Sequence, residues 1–141
     1  MSLTLHASAV AWAGQGQPRG LLILGTSGSG KSALALQLMA FGCVLVADDL
    51  VRLDARDAIL TAQAAKPLHA IEARGIGILA APLLDVTPLT LAVDLDQRET
   101  ERLPPVRQAT WLGISVPLVH ISAFPPFPAA ILHYLKHGRV A

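Results

Sequence analysis

Apolar residues occur along this chain mainly in short runs that are separated by turn residues, a pattern typical of buried strands. The predicted strands are Leu5–Ala13, Gly20–Leu24, Cys43–Ala47, Val51–Asp54, Ile59–Ala62, Ile76–Ala80, Leu89–Leu95 and Leu118–Ile121. The first two flank a turn-rich segment from Gly14 to Pro18, which predicts a β-hairpin, and Val51–Asp54 with Ile59–Ala62 predicts another. We expect Ile76–Ala80 and Leu89–Leu95 to be core strands.

Two segments have the character of helices. The first runs from about Lys31 to Phe41 and ends at Gly42, a residue suited to a left-handed cap, and the second is Ala129–His137. Strands thus outnumber helices, and no repeat, low-complexity segment or linker divides the chain. We predict one α/β domain over residues 1–141 with a mixed, strand-heavy sheet.

The composition is unusually apolar. Hydrophobic residues make up 52% of the chain and charged residues only 15%. No uninterrupted apolar run reaches the roughly 18 residues that a membrane helix needs, so we expect no membrane span. The apolar surplus favours burial against other subunits or against a second domain, and of these we expect a homo-oligomer.

Charge and cysteine content limit the classes of binding partner and the cellular compartment that we expect for this protein. The net charge is +1 and there is no basic run, so we expect neither nucleic acid nor an anionic membrane as a partner. The single cysteine, Cys43, cannot form an internal disulfide, and the N-terminus does not resemble a secretory signal. Both observations predict a cytoplasmic protein.

The segment from Gly25 to Ser32 has the most specific chemistry. It matches the phosphate-binding pattern G-x-x-x-x-G-K-[ST], between an apolar strand and a helix. Glycines let backbone N–H groups approach phosphate oxygens, and the following helix directs its positive end to the same place. Lys31 can then reach the β- and γ-phosphates, while the Ser32 hydroxyl can hold Mg²⁺. The predicted nucleotide-binding residues are Gly25, Thr26, Ser27, Gly28, Ser29, Gly30, Lys31 and Ser32.

An acid pair, Asp48 and Asp49, ends the strand that follows this helix. One carboxylate can help to hold Mg²⁺, and the other is free to accept a proton from an incoming hydroxyl. Aspartates also cap turns. However, this strand can lie beside the strand that carries the phosphate loop, which makes a shared site natural. The pattern alone does not decide which aspartate is the base.

Four segments resemble the catalytic domain of HPr kinase/phosphorylase, the bifunctional enzyme that phosphorylates a serine of the phosphocarrier protein HPr. They are Leu5–Ser8, Gly25–Ser32, Gly42–Asp49 and Ile71–Ile78, the last being similar to the family signature E-[LIV]-R-G-L-G-I. Glu101–Pro104 and Leu112–Pro117 are similar to further family elements. The resemblance implies a P-loop fold like the catalytic core of HPr kinase and phosphoenolpyruvate carboxykinase, and a hexameric assembly.

The resemblance also implies roles for individual residues. Asp48 resembles the base that takes the serine proton, and His6 resembles a histidine that could hydrogen-bond a carboxylate and hold it in place. Arg74 matches the signature arginine near the transferring phosphate, and Arg102 matches an arginine tied to dephosphorylation. The expected Mg²⁺ ligands are Ser32, Asp49 and Glu72.

The expected activity is Mg²⁺-dependent transfer of the γ-phosphoryl group of ATP to a serine of an HPr-like phosphocarrier, together with a phosphate-driven reverse reaction. One alternative is a small-molecule P-loop kinase, although Ala80–Thr90 lacks the arginine of a typical lid. Another is a nucleotide-binding regulatory module without transfer activity. The segment Ala80–Val86 also lacks the positive charges with which the family grips its protein substrate.

Overall fold

Strands make up most of the regular structure, as the short apolar runs predicted. A computed structural model describes residues 1–14, 16–125 and 127–141. In chain order the elements are β1 Ser2–His6, β2 Ser8–Trp12, β3 Arg19–Leu24, α1 Lys31–Ala40, β4 Val44–Ala47, β5 Leu50–Arg56, β6 Ile59–Ala64, β7 Ala70–Ala73, β8 Gly77–Ala80, β9 Thr87–Glu99, β10 Arg107–Trp111, β11 Ile114–Ser122 and α2 Phe127–His137. In the described residues, no helix is long and apolar enough to cross a membrane.

The main sheet is mixed. Its principal strand order is β1-β5-β6-β9-β3-β2-β4, and β11 pairs with β9 and carries β10. Strand β9 runs parallel to both β3 and β11, whereas the other pairings within this sheet are antiparallel. The C-terminal ends of β3, β9 and β11 therefore lie at the same edge of the sheet. In α/β sheets this edge is where ligands bind.

Strand β3 lies in the centre of the sheet and is buried on both faces. Leu21 and Ile23 belong to the apolar cluster that contains α1 and α2, and Leu22 belongs to the cluster that contains β5 and β6. All three side chains have no exposed surface. Each contributes about 1.5–3 kcal/mol relative to an exposed position, so β3 is a firm support for the loop that follows it.

Both helices pack on the cluster that contains Leu21 and Ile23. Helix α1 ends at Ala40 with Phe41 as its C-cap, and Gly42 follows with a φ of 110°, which confirms the predicted cap. Helix α2 is tied to the sheet at its C-terminal end, where the Arg19 side chain donates a hydrogen bond to the Leu135 carbonyl at 2.7 Å. Lys136 lies 4.3 Å from the centre of the Trp12 ring.

The predicted strand Leu5–Ala13 is two strands. β1 pairs with β5, β2 pairs with β3 and β4, and Ala7 separates β1 from β2. The Ala7 N–H donates to the Asp49 carbonyl instead of to a neighbouring strand. An apolar run does not reveal such a change of partner. The β2–β3 hairpin is confirmed, although Gln15 of its predicted loop lies outside the described residues.

The prediction that Ile76–Ala80 is a core strand is wrong, because the segment is exposed. The segment forms β8, which pairs only with β7 in a separate two-stranded sheet, and all four residues of β8 are exposed. Strand β7 lies beside α1, and its residues Ile71 and Ala73 are buried. Strands β7 and β10 were not predicted, because each is short and contains polar residues.

The strand before the acid pair is also placed differently from our expectation. β4 lies at the edge of the sheet beside β2, and β2 separates it from β3. The acids nevertheless lie near the loop that follows β3. In the strand order, β2 alone lies between β4 and β3.

Candidate functional site

The Gly25–Ser32 loop connects the end of β3 to the start of α1. Gly25 is required by close packing, because a Cβ there would lie 2.3 Å from Ser29 Oγ and 3.2 Å from Leu95 Cβ. Gly30 has a φ of 103° and is the N-cap of α1, without a side-chain cap. No acidic residue occupies the first turn of the helix. The positive end of α1 is thus open toward the loop.

Lys31 folds back over the loop that precedes it. Its Nζ donates hydrogen bonds to the carbonyl oxygens of Gly25, at 2.8 Å, and Thr26, at 3.1 Å. In the described residues, Ser29 Oγ is the buried side-chain oxygen that has no hydrogen-bond partner. The loop therefore holds a positive charge and an unpaired hydroxyl, both features suited to an anionic ligand.

Asp48 lies directly behind this loop. Its Oδ1 accepts hydrogen bonds from Ser32 Oγ at 2.7 Å and from Ser8 Oγ at 2.8 Å. Ser8 is completely buried in β2, and sequence reasoning missed it. The available signal was a serine at the start of an otherwise apolar strand. Among the described residues, the donors to Asp48 are these serines, and His6, which the resemblance implied could hydrogen-bond a carboxylate, is not one of them.

Asp49 is different from its neighbour. It is exposed, its φ is 75°, and it lies on the wall of the cavity in front of the loop, whereas Asp48 is half-buried and is not a lining residue. Aspartate tolerates this left-handed conformation better than most side chains. The turn after β4 thus directs the two carboxylates to different surroundings.

The cavity has a volume of about 630 Å³ and brings together most of the predicted site residues. Its wall includes His6 from the end of β1, Glu72 from β7 and Arg74 from the turn between β7 and β8. The loop contributes Gly25, Thr26, Ser27, Gly28, Gly30, Lys31 and Ser32. The β7–β8 hairpin thus brings one carboxylate and one guanidinium group to the same cavity as the loop.

Three predicted site residues do not line this cavity: Ser29 within the loop, Asp48 behind it, and Arg102. Arg102 is exposed in the loop between β9 and β10. Within the described residues, no group of three or more His, Cys, Asp or Glu side chains is arranged to hold a metal ion. A metal ion here would therefore need hydroxyl or ligand oxygens in addition to carboxylates.

Comparison with known proteins identifies the family to which this site belongs. The sequence profile described as HPr Serine kinase C-terminal domain matches residues 3–125. The chain belongs to this family. HPr kinase/phosphorylase from Chlorobium phaeobacteroides is 36% identical over 121 residues, covering 75% of this chain and 38% of that protein. The enzyme of the same name from Streptococcus pneumoniae is 41% identical over 92 residues, covering 59% and 30%.

A solved structure supports the same fold. The Hpr(Ser) kinase/phosphatase from Coxiella burnetii superposes with a TM-score of 0.74 at 25% identity, covering 95% of this chain and 88% of that chain. The strand-dominated mixed sheet is therefore similar to that of an HPr kinase. The chain covers 38% of the Chlorobium enzyme and 30% of the Streptococcus enzyme, which is less than two-fifths of the length of each.

One further residue contacts the Gly25–Ser32 loop and was missed by sequence reasoning. Asp96 lies in β9, and its Oδ2 accepts a hydrogen bond from the Thr26 N–H at 2.8 Å. Its Oδ1 accepts a second from Thr26 Oγ1 at 3.0 Å. The sequence separates these residues by 70 positions, so only the parallel pairing of β3 with β9 reveals the contact.

Two side chains outside the cavity have shifted pKa values. Burial raises the pKa of the Cys43 thiol to about 11, although the charge of Lys136 opposes this, so the thiol stays protonated at neutral pH. Desolvation also acts to raise the pKa of Glu99. It is outweighed by hydrogen bonds from the Glu101 and Thr100 N–H groups and by the hydrogen bonds and charge of Arg107, so the pKa is lowered overall.

Proposed function

We propose that this chain is a kinase catalytic domain that transfers the γ-phosphoryl group of ATP to a serine hydroxyl of an HPr-like phosphocarrier. The observation that carries the proposal is the arrangement around one cavity of Lys31, the uncapped start of α1, the Ser32–Asp48 hydrogen bond and the exposed Asp49 carboxylate. Membership of the HPr serine kinase family supports the choice of substrate.

The residues present fit Mg²⁺ and a polyphosphate. Ser32 and Asp48 offer adjacent oxygen ligands of the kind that Mg²⁺ prefers, and Glu72 is a further candidate on the opposite wall. The open N-terminus of α1 suits phosphate oxygens. Bound Mg²⁺ would neutralise the charge that develops on the phosphate oxygens.

The nucleotide is held mainly by the loop in this proposal. Lys31 exchanges the carbonyl groups of Gly25 and Thr26 for β- and γ-phosphate oxygens, because a charged acceptor gives a stronger hydrogen bond than a neutral one. Arg74 offers a fixed positive charge on the opposite wall. Positioning and charge neutralisation supply most of the catalysis in phosphoryl transfer.

The transfer itself needs one proton acceptor. The serine oxygen forms a bond to the γ-phosphorus as the bond from that phosphorus to the β-phosphate oxygen breaks, and the serine proton passes to a carboxylate. Asp49 is the better candidate, because it is exposed to the cavity, whereas Asp48 Oδ1 already accepts two hydroxyl hydrogen bonds. This reverses the roles inferred for Asp48 and Asp49 from the sequence, and it leaves Asp48 to orient Ser32.

His6 and the reverse reaction belong to the same proposal. His6 lies on the same cavity wall as Asp49, and in this proposal it holds the Asp49 carboxylate in place. In the reverse reaction, an oxygen of inorganic phosphate forms a bond to the phosphoserine phosphorus as the bond from that phosphorus to the serine oxygen breaks, so pyrophosphate is formed. Protonated Asp49 gives its proton to the departing serine oxygen. Arg102 keeps its inferred role in this direction.

A homo-oligomer, hexameric by resemblance and located in the cytoplasm, remains part of the proposal.

Mass spectrometry of HPr after incubation with this protein, ATP and Mg²⁺ tests the proposal. We expect the carrier to gain one phosphoryl group, and an HPr variant without the acceptor serine to gain none. Binding of ATP without any phosphorylated carrier would contradict the kinase proposal, and would instead favour a small-molecule kinase or a regulatory module. Absence of ATP binding would contradict the nucleotide site itself.

A further inference from the structure

We infer that Asp96 is a positioning residue of the nucleotide site and acts through Thr26. The inference rests on the proposed function and deepens it, since it concerns the same loop. Asp96 is not part of the G-x-x-x-x-G-K-[ST] pattern, and it lies 70 positions beyond Thr26. Two structural features support this role: an irregularity in β9 and a pair of hydrogen bonds between Asp96 and Thr26.

The irregularity directs Asp96 toward the loop. On β11, the consecutive residues His120 and Ile121 pair with Asp94 and Arg98 of β9, so the segment 95–97 has no partner in this register. Extra residues of this kind form a bulge, which redirects side chains and occurs often beside active sites. The Asp94 side chain accepts a hydrogen bond from the Asp96 N–H at 2.9 Å, which supports the bulge from within.

The bulge contacts the loop at two successive residues. Leu95 packs against Gly25 so closely that a Cβ on this glycine would lie 3.2 Å from Leu95 Cβ. Asp96 then accepts hydrogen bonds from both the N–H and the hydroxyl of Thr26. The start of the loop is therefore held by β9 as well as by β3.

These hydrogen bonds fix the orientation of one peptide unit. In a trans peptide the C=O of one residue and the N–H of the next point in opposite directions. Because the Thr26 N–H points to Asp96, the Gly25 C=O must point the other way, where it accepts a hydrogen bond from Lys31 Nζ at 2.8 Å. Asp96 thus determines where the lysine rests before nucleotide binds.

The consequence for binding is preorganisation. Without Asp96 the Gly25–Thr26 peptide can rotate, and the loop must be ordered when the nucleotide binds, which lowers affinity. The negative charge of Asp96 acts in the opposite direction, because it contacts the loop that would hold the polyphosphate and repels that anion. A variant that keeps the hydrogen bonds but loses the charge separates these two effects.

Asp96→Asn and Asp96→Ala form such a pair. The asparagine carbonyl can accept from the Thr26 N–H while its NH₂ donates to the Thr26 hydroxyl, whereas alanine makes neither hydrogen bond. We expect the Kd for ATP, measured by calorimetry with Mg²⁺, to rise about tenfold in Asp96→Ala and less than about threefold in Asp96→Asn. The matched control Asp57→Asn removes an exposed carboxylate in the turn between β5 and β6 and should bind like the unmodified protein.

A measurement without nucleotide keeps the test independent of the proposed function. Hydrogen exchange of the Thr26 amide should be faster in Asp96→Ala than in the unmodified protein and close to unchanged in Asp96→Asn. Unchanged exchange and unchanged affinity in a folded Asp96→Ala protein would overturn the inference. Equal losses in the Ala and Asn variants would also overturn it, because the hydrogen bonds that asparagine retains would then make no difference. If the unmodified protein binds no ATP, the proposed function fails, and the Thr26 exchange rates still decide whether Asp96 orders the loop.

Discussion

Asp96 and Lys31 hold opposite sides of a single peptide unit. The Asp96 carboxylate accepts from the Thr26 N–H at 2.8 Å, and Lys31 Nζ donates to the Gly25 carbonyl at 2.8 Å. A residue of β9 and the first residue of α1 are therefore coupled through the loop between β3 and α1. The lysine of the phosphate-binding pattern is prepositioned by an acid that the pattern does not contain.

Loss of the Lys31 ammonium should weaken nucleotide binding. Lys31→Ala removes the charge that would neutralise the β- and γ-phosphates, so the Kd for ATP should rise about tenfold or more, or about 1.4 kcal/mol. Calorimetry with Mg²⁺ measures this, and Lys66→Ala is a control, because Lys66 is exposed and lies outside the cavity. Unchanged affinity in a folded Lys31→Ala protein would contradict the nucleotide site.

The two aspartates should respond differently to substitution by asparagine. Asp49→Asn should lower the transfer rate about 10² to 10⁴-fold, the usual contribution of a general base, with nucleotide affinity close to unchanged. Asp48→Asn should raise the Mg²⁺ concentration needed for half-maximal activity, because a carboxylate beside Ser32 is lost. Rates of HPr phosphorylation across a Mg²⁺ titration check both. If Asp48→Asn abolishes transfer at every Mg²⁺ concentration while Asp49→Asn is active, Asp48 is the base, as inferred from the sequence.

Arg102 should affect the reverse reaction more than the forward one. Since it does not line the cavity, Arg102→Ala should change the Kd for ATP less than about twofold. In the reverse direction two anions, phosphate and phosphoserine, must approach each other, and an additional cation is most useful there. Release of pyrophosphate from serine-phosphorylated HPr should fall more than forward transfer does. Equal losses in both directions would make Arg102 a docking or folding residue instead.

The Glu99–Arg107 ion pair should make stability depend on pH. Glu99 is 7% exposed, and its salt bridge to Arg107, at 3.2 Å, joins the end of β9 to the start of β10. Because its pKa is lowered in the folded protein, the stabilisation is present above the unfolded value near 4.5 and is lost as the pH falls through the folded pKa.

Urea unfolding of the unmodified protein and Glu99→Gln checks this dependence. The two free energies of unfolding should differ clearly at pH 7 and converge as the pH falls below about 4.5. Glu101→Gln removes a carboxylate from an exposed neighbour and serves as the control. A difference between Glu99→Gln and the unmodified protein that stays constant with pH would contradict the assigned pKa shift.

Local patterns were sufficient for those parts of the fold and site that depend on neighbouring residues. The elements on both sides of the Gly25–Ser32 loop, the Gly42 cap and the β2–β3 hairpin follow from residues close together in the chain. The pattern G-x-x-x-x-G-K-[ST] is of the same kind, because backbone angles and the helix end determine its geometry.

Pairing between distant strands could not be predicted in this way. The division of Leu5–Ala13 at Ala7, the exposed position of β8 and the separation of β4 from β3 all depend on partners elsewhere in the chain. Asp96 is the clearest example, since nothing near it in the sequence indicates that it contacts Thr26. Apolar content alone does not distinguish β8 from a core strand, since exposed apolar residues are common.

The central position of β3 between β2 and β9 has a consequence for folding. Every residue of the phosphate-binding pattern precedes residue 33, but β3 pairs with β9, whose first residue is Thr87. Contacts between residues so far apart form slowly, because a long loop of chain must close first. A growing polypeptide therefore contains the complete pattern well before β9 is available to hold the loop in place. The ability to bind a nucleotide should arise only when β9 has been synthesised and inserted beside β3.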